Sequence, residues 1–93
     1  MIIKAETFRG SKRYYCGSIS GALDQAINES VEMELIIMAV VNKFGEDQDW
    51  KYVRTCLDKV KRHSKFNIFT RIDTKTGFMT VTKILKGYPN EPQ

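Results

Sequence analysis

Between Trp50 and Lys65 the apolar residues Trp50, Val53, Leu57 and Val60 recur at three- and four-residue steps, with Cys56 at the margin of the stripe. That spacing belongs to one face of a helix and to no strand. It predicts a helix over about 49–65, capped by Asp47 or Asp49. Lys51, Arg54, Lys61, Arg62 and Lys65 fall on a neighbouring face, interrupted only by Asp58, when the chain turns about 100° per residue. One side of the helix can pack while its flank presents a band of positive charge.

The rest of the chain must supply what this helix packs against. Its 93 residues suit one domain, expected over 1–88, and a 42% hydrophobic content with five Phe, four Tyr and one Trp provides for a core of modest size. Residues 89–93 follow Gly87 with no pattern and are expected to fray. The longest apolar run, Leu35 to Val41, has seven residues, far short of the roughly 20 needed to cross a bilayer. The N-terminus lacks the basic and then apolar pattern of a signal peptide, so a cytoplasmic location is expected. Cys16 and Cys56 stand far apart, with no CxxC spacing and no histidine cluster, and read as reduced structural thiols.

Secondary structure can be read element by element. Ile2–Phe8 and Lys12–Cys16, separated by Arg9-Gly10-Ser11, predict an N-terminal hairpin. Ser18 or Ser20 would cap a helix over about 21–30 with Leu23, Ala26 and Ile27 inward. The run from Val31 to Val41 could continue that helix, because Ile27, Val31, Leu35 and Met38 keep a helical step. Its β-branched content and the break at Asn42 to Gly45 favour a central strand over 33–42, buried on both faces. Phe66–Ile72 and Phe78–Ile84 flank Asp73-Thr74-Lys75-Thr76-Gly77 as a second hairpin, with Phe66, Ile68, Phe78 and Val81 as core candidates. The expectation is an α+β domain: an antiparallel sheet built from the two hairpins, packed against two helices.

Charge is divided along the chain. Residues 24–49 hold one basic and seven acidic side chains, whereas residues 50–88 hold ten basic and two acidic, so the net charge of +4 hides a strongly basic C-terminal half. Basic groups beside aromatics suit nucleic acid, because Lys and Arg hold phosphates and flat rings stack on unpaired bases. Lys51, Arg54, Lys61, Arg62 and Lys65 are the first candidates for such contacts. Arg9, Lys12, Arg13 and Tyr15 extend the set at the N-terminal turn, and Arg71 extends it on the second hairpin. With no zinc-finger spacing, helix-turn-helix pattern or aromatic strand motif, backbone holding of RNA or single strands with little sequence preference is expected.

Other classes have less to stand on. His63 sits among Lys61, Arg62 and Lys65 and reads as part of a solvated flank. Gly17-Ser18-Ile19-Ser20-Gly21 lacks the Gly-Lys-Ser/Thr ending of a phosphate loop. No nucleophile, base and orienting residue can be assembled, so no enzyme, cofactor or metal is expected. A compact inhibitor or regulator that docks on a larger protein is the alternative, since segregated charge suits steered association. Self-association, with acidic and basic segments meeting across a two-fold axis, is a further expectation.

Overall fold

The structure, a computed structural model, describes residues 1–86, so the tail at 89–93 lies outside the described residues. Strand β1 (Ile2–Thr7) and strand β2 (Gly10–Tyr15) are joined by Phe8 and Arg9 alone, and Gly10 adopts a φ of 123°. A side chain would be strained there. The loop is one residue shorter than Arg9-Gly10-Ser11, and since neither Phe8 nor Arg9 has a positive φ, the reversal is completed at Gly10. The register changes with it: Ile3 faces Tyr14, and Lys4 faces Arg13.

Helix α1 (Ile19–Glu29) starts two residues earlier than the expected 21, because Ser18 is its cap and accepts a hydrogen bond from the Gly21 N–H at 3.0 Å. Gly21 is needed for proximity. A Cβ at that position would run into the Cys16 sulfur. Strand β3 (Glu34–Val41) settles the ambiguous run as strand. Helix α2 (Trp50–His63) is capped by Asp49, whose carboxylate accepts from the Lys51 N–H at 2.9 Å. It ends at His63, two residues short of the expected end, with Ser64 as its cap and Lys61, Arg62 and His63 in the last turn, where positive charge suits the helix dipole.

Strand β4 (Phe66–Ile72) and strand β5 (Met79–Leu85) form the second hairpin. The Asp73 carboxylate holds their turn by accepting from the N–H groups of Lys75 and Thr76, and Gly77 takes a φ of 74°. The five strands make one antiparallel sheet in the order β2-β1-β3-β5-β4. The chain is an α+β domain of the expected kind, with β3 in the centre.

Both helices lie on the same face of this sheet. Ala22, Leu23, Ala26 and Ile27 of α1 and Val53, Leu57 and Val60 of α2 share one cluster with Ile3, Leu35, Ile37, Val40, Met79 and Val81, and Trp50 packs partly buried against it. The expectation that β3 is buried on both faces therefore fails on one of them. Ile36, Met38 and Ala39 stay half-buried, since no described element forms a second layer, and an antiparallel sheet tolerates a solvated face. Of the other core candidates, Ile68 and Val81 are buried while Phe66 and Phe78 are only half-buried.

Lys83 is the least expected member of the interior, at 1% exposure. From β5 its ammonium donates to the carbonyls of Ile27 and Ser30 at the end of α1, and it sits 4.7 Å from the centre of the Phe66 ring. Helix α1 has no basic residue in its last turn. Lys83 supplies from the sheet the positive charge and donors that such an end lacks. Burial, and after it the charge of Lys65, lowers its pKa below 10.5.

Candidate nucleic-acid interface

Strand alternation decides which side chains reach the uncovered face of the sheet. Counting from the paired residues, that face carries Ser11, Arg13 and Tyr15 from β2 and Ile2, Lys4 and Glu6 from β1. It continues with Glu34 and Ile36 from β3, Thr80 and Thr82 from β5, and Asn67, Phe69 and Arg71 from β4. Tyr15 is 61% exposed and Phe69 57%. Two aromatics and three cations thus lie on one open surface, with two carboxylates between them.

The basic corner of this surface has the more pronounced shape. Lys4 and Arg13 are directly opposed across β1 and β2, which places their Cβ atoms about 4.5–5.5 Å apart. Among the described residues neither takes part in an ion pair; the pairs found are Arg9 with Glu32 and Lys12 with Glu29. They line a shallow depression of about 660 Å³ together with Ser11, Lys12, Tyr15 and Met38. Met38 enters it because β3 bulges here: Lys4 pairs with Ala39 but Ala5 pairs with Ile37, which leaves Met38 as the extra residue. Like charges held opposite each other lower stability, and a bound anion would relieve the repulsion.

The other residues singled out in the sequence do not all join this corner. Arg71 lies on the opposite edge strand, four strand spacings or roughly 19 Å from β2. Lys51, Arg54 and Arg62 are exposed and Lys61 half-exposed on α2, in the layer behind the sheet, with Lys65 just past the cap Ser64. Lys59, Val60 and His63 border the groove toward Ser20, Gly21 and Asp24 of α1. At about 100° per residue the arc of Lys51, Arg54, Lys61 and Arg62 therefore points away from α1. It forms a second basic surface.

Arg9 and Lys12 are engaged at the other end of α1. Arg9 Nε lies 3.1 Å from the half-buried Glu32 carboxylate, and Lys12 Nζ lies 3.7 Å from Glu29 and 5.1 Å from the Tyr14 ring centre. Acidic residues of the 24–49 segment thus neutralise part of the N-terminal hairpin within the chain. Both carboxylates also bear on Tyr14, whose pKa is raised above 10.0, first by burial and then by Glu29 and Glu32.

Lys4 is the site residue that sequence reasoning missed. A turn at Arg9-Gly10-Ser11 sets Lys4 opposite Cys16, so its juxtaposition with Arg13 is visible only in the two-residue register. The signal available was the preference of hairpins for short loops. No group of three or more metal-ligating side chains occurs among the described residues, and no described helix is long and apolar enough to cross a membrane. Comparison with known protein families, with curated proteins and with solved structures finds no match for the chain.

Proposed function

We propose that the protein binds single-stranded nucleic acid, RNA or DNA, across the open face of its sheet, holding backbone phosphates with little sequence preference. The observation that carries this reading is the opposed pair Lys4 and Arg13, free of carboxylate partners among the described residues and set beside the exposed ring of Tyr15. Two adjacent cations suit a phosphodiester, and an adjacent ring suits an unpaired base. Phe69 and Arg71 offer the same pairing of ring and cation at the far edge, so a strand laid obliquely over the sheet meets both corners. Glu6 and Glu34 lie between them, which favours two separated grips over one continuous basic track.

The basic arc of α2 has a different part in this reading. It faces away from the sheet surface, so it raises the positive field that attracts the strand without touching the same nucleotides. Fluorescence anisotropy with an unstructured oligonucleotide at two salt concentrations tests the assignment. The wild-type protein should lose affinity with salt at a logarithmic slope of about −0.7 per phosphate contact on a single strand. The double variant Lys4→Glu/Arg13→Glu should lose binding while keeping its dichroism spectrum. The triple variant Arg54→Glu/Lys61→Glu/Arg62→Glu should retain the same bound geometry with slower association. If binding depends on the α2 triple alone, the interface belongs to the helix layer. If no nucleic acid binds at low salt, the basic surfaces are the docking face for an acidic protein.

A further inference from the structure

A second depression adjoins the basic corner, and its lining is of another kind. Strands β3 and β5 pair only as far as Ile37 and Met79, so beyond that point β3 has no β5 neighbour. The chain after β3 folds back to fill part of the gap. Val41 bridges Asp47, and the Gln48 N–H donates to the Val40 carbonyl at 2.7 Å. What remains open is a cleft of about 220 Å³ between Asp47, Gln48 and Trp50 on one side and Thr76, Gly77 and Phe78 on the other, over Met38 to Val40 of β3. Trp50 and Phe78 are each half-buried, and Met38, the bulged residue, borders this cleft and the Lys4–Arg13 depression alike.

We propose that this cleft accepts one unstacked base of the strand whose phosphate lies between Lys4 and Arg13. The inference rests on the nucleic-acid reading above and adds a base subsite to it. The lining is mostly polar: the amide of Gln48, the hydroxyl of Thr76 and the carboxylate of Asp47 carry donors and acceptors of the kind that base edges use, and the half-buried Trp50 and Phe78 add aromatic edges to it. The thioether of Met38 makes the shared wall adaptable and can pack on the ring of a base or on a ribose. Elsewhere on the open face an aromatic stands alone, Tyr15 at one corner and Phe69 at the other. Trp50, from the start of α2, and Phe78, just before β5, border one cleft, which distinguishes it from the rest of the surface.

Trp50 is the single tryptophan of the chain and therefore reports on the cleft directly. The test compares a short oligothymidylate with a strand of the same length made of abasic residues, following Trp50 emission and anisotropy together. The thymidylate strand should quench Trp50 in a saturable way, while the abasic strand binds about 5-fold to 100-fold more weakly and leaves the emission unchanged. Phe78→Ala should bring the thymidylate affinity down toward that of the abasic strand, and Gln48→Ala, at a loop position, should reduce the quench without altering the fold. Equal affinity for both strands with no quench overturns the base subsite and leaves phosphate binding standing. Absence of binding by either strand at low salt overturns the nucleic-acid reading itself, and the subsite with it.

Discussion

The two faces of the sheet use the same five strands for opposite ends. On the covered face Ile3, Leu35, Ile37, Met79 and Val81 have essentially no exposed surface and meet the apolar stripes of α1 and α2. On the open face their alternating neighbours are Lys4, Arg13, Tyr15, Thr80, Thr82 and Arg71, half-buried or exposed. The contrast shows where stability and recognition are separated in a small domain. Packing is concentrated in one layer, which leaves the other face free to carry a repulsive Lys4–Arg13 pair that a folding criterion alone would select against.

The sharpest way to break this comparison is to remove packing from each face in turn. Leu57→Ala takes a fully buried side chain from the covered side and should cost about 2–5 kcal/mol in urea unfolding. Thr80→Ala, on the open side, should change stability by no more than about 0.5 kcal/mol. Comparable losses in the two variants would mean that the open face is packed in solution.

Lys83 sharpens the comparison because it is a charge on the covered side. Lys83→Met leaves the carbonyls of Ile27 and Ser30 without their donor and should cost about 1–3 kcal/mol. Its pH dependence has a definite sign. The folded-state pKa of Lys83 is lowered below 10.5, so between the lowered value and 10.5 the unfolded chain binds more protons and stability rises with pH. Tyr14 opposes it above 10.0, where its raised pKa makes the unfolded chain release a proton first and stability falls. Denaturation midpoints from pH 7 to 11 should rise and then fall in the wild type, and Lys83→Met should show only the fall.

A smaller effect is expected at the start of α2. Asp49→Ala removes the acceptor for the Lys51 N–H and should cost about 1 kcal/mol, read as a shift in thermal midpoint. Because Asp49 stands one residue before Trp50, the same variant tests whether the cleft depends on a well-formed helix start. Its loss of stability should come without loss of phosphate binding at Lys4 and Arg13.

The helix at Trp50 and the second hairpin were legible in the sequence because each follows its own periodicity: three- and four-residue steps in one, alternation around a Gly-containing turn in the other. The strand at Glu34–Val41 was legible from its β-branched run. Its half-open burial was not, because residue pattern alone does not say that α1 and α2 land on the same face. The Lys4–Arg13 pair was hidden by a turn set one residue too long, an error that moves every cross-strand neighbour. Nothing in the sequence marks Lys83 as buried, since lysines are mostly exposed, and the carbonyls of Ile27 and Ser30 at the end of α1 explain its burial.

Chemical-shift mapping of the ¹⁵N-labelled protein during titration with an unstructured single strand tests the central division most directly. The account predicts that the largest changes fall on Lys4, Arg13, Tyr15 and Met38 of the open face and on the Gln48–Trp50 segment, with the buried residues of α1 and α2 unmoved. Changes centred on Lys51, Arg54, Lys61 and Arg62, with a silent open face, would contradict it.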